Sequence, residues 1–387
     1  MPNSAPSTSY RQPTRQFAFA LCSGMLLMTG CSTTQVISGS NSANAPISKL
    51  KVAEAQEYEL QQTAQAIRQK NGTDKPVVAL VLGSGGARGY AHIGVIRILE
   101  AYGIRPQLIV GTSAGSIVGA LYASGKNAEQ MENVANALRS SDVRDLTLSK
   151  QGFFNSKKVE NFVNEQVQNR SLEQLDIPFF VVATELQNGT RAVFNYGNTG
   201  QAVSASVSIP SMFVPTLISK KQYVDGGLVS PVPVEVAKSL GADVIIAVNI
   251  LAQPENTATT NIWGLFNQNI NVMQNRLASY ELRDADVVIQ PNIKEKQHIF
   301  SLDSRNQTMV SGEEATLFQM DKIKYHILAA QQKLRQQNRP QSEQSPLAQA
   351  DLQSSQYPLP SMSPAIVSPA TQSSINMPSA MPQLVAP

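Results

Sequence analysis

Val77-Val78-Ala79-Leu80-Val81-Leu82 runs directly into Gly83-Ser84-Gly85-Gly86-Ala87-Arg88-Gly89. Six consecutive apolar residues, three of them valine, suit a strand buried on both faces, where the usual alternation disappears. The glycines end that strand abruptly. Residues 90–101 then carry Ile93, Ile96 and Leu99 at helical spacing, and Gly103 supplies a stop. A second unit repeats the pattern, with Leu108-Ile109-Val110 as strand, Gly111-Thr112-Ser113-Ala114-Gly115 as turn, and residues 116–124 as helix before Gly125. Two strand, turn and helix units in tandem predict parallel pairing with helical crossovers. Further strands are expected at 178–184, at 191–194 after an Asn188-Gly189 turn, at 242–249 and at 285–289. The body is therefore expected to be α/β with a mostly parallel central sheet.

The rest of the chain is organised around that body. Of 387 residues, 42% are apolar and 15% charged, which excludes a wholly disordered chain. A formal net charge of +3, spread evenly, excludes an electrostatic nucleic-acid binder, and two cysteines exclude a disulfide framework or a cysteine-based zinc site. Residues 1–30 contain no acid, carry Arg11 and Arg15, and then run apolar from Phe17 to Met28, the layout of a secretory leader. Cys22 would leave with it. Residues 31–46 are rich in Ser, Asn and Thr and read as a tether. A loosely amphipathic helix at 47–70 follows, ending at Asn71-Gly72. The expected domain spans 73–338. From Pro340 onward, nine of the 22 prolines fall among Ser, Gln and Ala, so 339–387 is expected to be disordered.

Gly111-Thr112-Ser113-Ala114-Gly115 fits G-x-S-x-G, where a strand must turn sharply into a helix and only tiny side chains fit on either side of the serine. Gly111 and Gly115 build that elbow. It lifts the Ser113 hydroxyl into the open at a helix N-terminus, with the Ala114 N–H beside it. The first glycine loop fails as a dinucleotide fingerprint, because Arg88 stands where the third glycine belongs. It does better as an oxyanion loop, with Gly85 and Gly86 presenting their amides beside Arg88. A serine nucleophile needs a base. Candidates are His92 on the first helix, His298 and His326 downstream, and Asp225, which Asp225-Gly226-Gly227 leaves uncovered on a turn. No His, Asp or Glu cluster has metal-ligand spacing, so no metal and no cofactor are expected.

The ordered set G-S-G-G-A-R-G, G-T-S-A-G and D-G-G, with Ser206-Val207-Ser208-Ile209-Pro210 and Tyr223-Val224, resembles the patatin-like phospholipase family in its bacterial branch. The match runs over 77–248. That resemblance implies a three-layer α/β/α fold and a Ser-Asp dyad, with Ser113 as nucleophile, Asp225 as base and Gly85, Gly86 and Arg88 in the oxyanion loop. Ser84 departs from the family, which has glycine there. The implied substrate is a phospholipid or lysophospholipid. A Ser-His acyltransferase or esterase, and a catalytically silent surface scaffold, remain as alternatives. Met28-Thr29-Gly30-Cys31 resembles the lipobox of bacterial lipoproteins, which implies acylation of Cys31 and membrane attachment. Ser32 after the cysteine implies an outer-membrane location facing the periplasm. Phe153-Phe154 before Lys157-Lys158, and Trp263 within 262–266, are expected either to pack or to meet lipid.

Overall fold

The computed structural model describes residues 53–54, 57–138, 154–252, 262–293 and 305–338. The chain divides into two units, Met1–Ala45 and Pro46–Pro387, and every described residue belongs to the second. The expected leader, Cys31, the tether, His298, Phe153 and the tail at 339–387 lie outside the described residues.

In chain order the elements are β1 (Ala53–Glu54), α1 (Glu57–Asn71), β2 (Val78–Leu82), α2 (Tyr90–Ala101), β3 (Leu108–Thr112), α3 (Ala114–Ala123), α4 (Ala128–Ala137) and α5 (Lys157–Gln166). There follow β4 (Phe179–Glu185), β5 (Arg191–Tyr196), α6 (Thr199–Ser206), β6 (Thr216–Ile218), β7 (Lys221–Asp225), α7 (Val234–Ser239) and β8 (Val244–Val248). The last are α8 (Ile262–Glu281), β9 (Val287–Ile289) and α9 (Arg305–Gln337). Among the described residues, no helix is long and apolar enough to cross a membrane.

The main path of the sheet is β1-β5-β4-β3-β2-β8-β9, with β6 and β7 attached at one side. Strands β4, β3, β2, β8 and β9 are parallel, whereas β1, β5, β6 and β7 pair antiparallel. Every residue of β2, β3, β4 and β8 is buried, as continuous apolar runs require when helices cover both faces. Alternate residues feed two cores. Leu80, Leu82, Val181 and Ile246 meet α2, α3, α4, α5, α6 and α9 on one side. Ala79, Val81, Val110 and Ile245 meet α1, α7 and α8 on the other. This is the expected three-layer arrangement.

One expectation is corrected. The helix read at 47–70 begins at Glu57, and Ala53–Glu54 pairs with the outer edge of β5 instead, Ala53 opposite Tyr196. An open strand edge offers unpaired backbone groups, and this short segment occupies them.

The chain course around β4 assembles the site. Strand β3 runs along one edge of β4 as far as Thr112 opposite Val182. Beyond that point β3 turns away into α3, and β7 takes over the same edge, with Asp225 opposite Ala183. The residue after β3 and the last residue of β7 are thereby brought together from 112 positions apart in sequence.

Candidate active site

Ser113 stands between β3 and α3 with φ 53 and ψ −119, a backbone conformation that L residues rarely adopt. Its neighbours hold it there. The Ser113 N–H donates to Ser206 Oγ at 2.8 Å, and Ser206 Oγ donates in turn to Val182 O at 2.6 Å. The Ser113 carbonyl accepts from Ser116 N–H at 2.8 Å and from Ser116 Oγ at 2.6 Å. Ser206, quoted above only as part of a motif, is thus the residue that ties the elbow to β4. Serine hydroxyls that serve backbone groups carry no spacing signal of their own.

The elbow glycines are required by close approach. A Cβ on Gly115 would lie 2.0 Å from Leu82 O, and one on Gly111 would lie 2.6 Å from Gly115 O. The start of α3 therefore packs against the end of β2 and the head of the first glycine loop.

Ser113 Oγ donates to Asp225 Oδ2 at 2.5 Å, and both residues are 4% exposed. The other carboxylate oxygen, Oδ1, accepts the Gly227 N–H at 2.7 Å. Backbone bonds fix the aspartate further, from its N–H to Ser208 O and from Thr184 Oγ1 to its carbonyl, each at 2.9 Å. Gly226 lets the turn lie flat on β4, since a Cβ there would meet Val182 O at 2.3 Å. Burial pushes the Asp225 carboxyl up to about 6, although the bonds from Ser113 and Gly227 pull the other way.

In the first glycine loop, Gly83 N–H donates to Val248 O at 3.1 Å and Ser84 N–H to Pro231 O at 2.8 Å. Gly86 has φ +59 and opens a 3-10 turn that leads into α2. Gly85, Gly86 and Ala114 lie at the starts of helical turns, where amides have no intrahelical acceptor. Arg88 donates from its backbone N–H and from Nη1 to Gly85 O, at 3.3 Å each, so its guanidinium braces the loop.

A cavity of about 180 Å³ opens beside these residues. Gly86, Ser113 and Ala114 form part of its wall, and Ile93, Ile117, Val134, Phe162, Val207 and Phe213 make the remainder largely apolar. Phe154 packs its ring on Phe213 at 5.8 Å between centroids, which places it behind that wall. Lys157 bonds Glu160 at 2.5 Å. Leu265 on α8 is exposed, while the side chains of Trp263 and Phe266 lie outside the described residues.

The described histidines stand apart from the Ser113 hydroxyl. His92 is fully buried and its Nε2–H donates to Gly83 O at 2.9 Å, behind the loop. Burial pushes it down to about 4, so it is neutral at pH 7. His326 lies on α9 with Nδ1 3.6 Å from Asp286.

Residues 80–238 match the family model described as patatin-like phospholipase. The chain carries a patatin-like phospholipase domain. The patatin-like segment contains Gly85, Gly86, Ser113 and Asp225, together with the Ser206 that braces the elbow. Over 204 residues, 51% of this chain, the sequence is 35% identical to an uncharacterized NTE family protein of Mycobacterium tuberculosis and covers 57% of that protein. It is 34% identical over 192 residues to human patatin-like phospholipase domain-containing protein 6, covering 47% of this chain and 14% of the human one. The chain thus spans little more than half the length of the bacterial relative. The solved structure of VipD from Legionella pneumophila is similar at a TM-score of 0.39 and 13% identity, covering 71% of this chain and 70% of that one.

Proposed function

We propose that the protein is a serine acyl-ester hydrolase of the phospholipase A or lysophospholipase kind, with Ser113 as nucleophile and Asp225 as its base. The observation that carries this reading is the 2.5 Å bond from Ser113 Oγ to Asp225 Oδ2 beside an apolar cavity. Asp225 takes the proton as Ser113 Oγ attacks the ester carbonyl carbon. The resulting oxyanion is held by the Gly85, Gly86 and Ala114 amides and the positive end of α3. Collapse breaks the bond to the alcohol, which leaves with the proton that Asp225 held. Water then gives a proton to Asp225, attacks the acyl-serine and releases the fatty acid, and the proton returns to Ser113 Oγ. The apolar wall of Ile93, Phe162 and Phe213 suits the acyl chain of a membrane lipid.

Neither of the two described histidines supports a histidine base, because His92 is spent on Gly83 O and His326 sits beside Asp286. Attachment to the outer membrane through acylated Cys31, facing the periplasm, belongs to the same proposal. Met28-Thr29-Gly30-Cys31 and Ser32 support it, and it would hold the cavity near its substrate.

The test is fluorophosphonate labelling of wild type beside Ser113→Ala, with turnover of a short-chain p-nitrophenyl ester and of phospholipid vesicles in the same samples. Labelling and turnover should both vanish in Ser113→Ala while its melting temperature stays near that of wild type. A Ser113→Ala protein that still turns over ester at the wild-type rate ends the proposal.

A further inference from the structure

The residues that follow the Asp225 turn reach back to both halves of the site. Pro231 O accepts the Ser84 N–H of the first glycine loop at 2.8 Å. Ser230 O, one residue earlier, accepts Thr112 Oγ1 at 2.9 Å, immediately before the nucleophile elbow. Ser230 and Pro231 thus register the glycine loop against Ser113. What holds the strap Ser230–Val232 is a carboxylate from α8: Glu281, the last residue of that helix, accepts the Ser230 hydroxyl on Oε1 and the Val232 N–H on Oε2 at 2.8 Å.

We infer that Glu281 is a positioning residue for the reaction at Ser113, acting through Ser230, Pro231 and Val232 on the spacing between Ser113 and the amides that receive the oxyanion. The inference rests on the hydrolase reading above. The carboxylate is bidentate, and its two acceptors fix both ends of a strap with no side-chain bond at its centre. Ser230 and Val232 are fully buried, so removing Glu281 takes the partner from a buried hydroxyl and a buried amide. An ångström of drift between nucleophile and oxyanion donors is enough to slow such chemistry about a hundredfold. Burial also pushes Glu281 up to about 7, in the face of the bonds from Ser230 and Val232 and of the nearby Arg191, with Glu235 adding to the rise.

The experiment measures kcat and KM on p-nitrophenyl butyrate, the second-order rate of fluorophosphonate labelling, and melting temperature. It does so for wild type, Glu281→Ala, Glu281→Gln and Asn275→Ala. Glu281→Ala should lower kcat and the labelling rate about tenfold or more with KM within twofold. Glu281→Gln should restore most of both, because its amide oxygen still accepts from Val232 and its NH2 group donates to Ser230 Oγ. Asn275→Ala removes another tether of α8, the bond from Asn275 Nδ2 to Ala252 O at 2.7 Å, without touching the strap. It should lower the melting temperature and leave kcat unchanged. Should Glu281→Ala fail to fold, Thr112→Val loosens the same strap from the other side and should lower kcat several-fold. Wild-type labelling by Glu281→Ala, or an equal loss of kcat in Asn275→Ala, overturns the positioning role. Wild type that fails to label at all overturns the hydrolase reading first, and the positioning role falls with it.

Discussion

Asp225 concentrates two opposed demands in a single side chain. It must be ionised to take a proton from Ser113, yet its burial favours the neutral acid and raises it to about 6. In a free-enzyme profile, kcat/KM should therefore rise through pH 6 and level off above pH 7. A profile that is flat between pH 5 and 8 contradicts the assignment of Asp225 as base. The same shift has a consequence for stability. A carboxyl whose folded value lies above its unfolded value of 3.8 contributes fully below pH 4, and that contribution is lost as pH rises through 6. Asp225→Asn keeps an acceptor for the Gly227 N–H and a donor for Ser113 Oγ while abolishing the charge. At pH 8 it should be more stable than wild type by up to about 3 kcal/mol, a gain that vanishes near pH 4, and should lose at least about a thousandfold in kcat. Urea titrations at the two pH values check the crossover. Glycine patterns made this residue and Ser113 stand out in the sequence, because a flanking glycine records where backbone must pass close to something. Ser206, Thr112 and Glu281 left no such trace, since a serine, threonine or glutamate that bonds a distant backbone group looks like any other.

Elements were legible in proportion to their burial. β2, β3, β4 and β8 are buried end to end and announced themselves as apolar runs. The hairpin of β6 and β7 did not, although it delivers Asp225. Leu217 at 61% exposure faces outward, Lys221 and Gln222 dilute the apolar pattern, and its two-residue turn is Ser219-Lys220. Both of those residues take positive φ, 49 and 71, where Asn-Gly would be the usual signature. The contact between α2 and α9 was equally silent. A Cβ on Gly94 would lie 1.9 Å from Met309 O, and one on Gly312 would lie 2.1 Å from Ala91 O, so the two backbones touch through paired glycines. The helical period of α2 was readable, while its partner 216 residues downstream at Glu313, which bonds Arg97 at 2.5 Å, was not. Either Gly94→Ala or Gly312→Ala should push the helices apart and cost about 2 to 3 kcal/mol or more, read as a lower urea midpoint. An unchanged midpoint in both would mean that the crossing adjusts freely.

At the scale of the whole molecule, the tandem strand, turn and helix units predict the parallel centre of the sheet, found as β4-β3-β2-β8-β9, and the resemblance predicts the helical layers on both of its faces. Composition could not foretell the exchange of strands on one edge of β4, where β3 stops at Thr112 and β7 continues at Asp225. This exchange makes the time course of folding observable. The first two strand and helix units close through local contacts, whereas Asp225 reaches Ser113 only after a hairpin from far along the chain has docked on β4. Contacts of such long sequence separation form slowly, because loop closure precedes their reward. On dilution from urea, helical circular dichroism should therefore recover before fluorophosphonate reactivity at Ser113, and the lag between them times the completion of the sheet. Coincident recovery of the two signals would mean that the edge of β4 is filled in the same cooperative step as the helices.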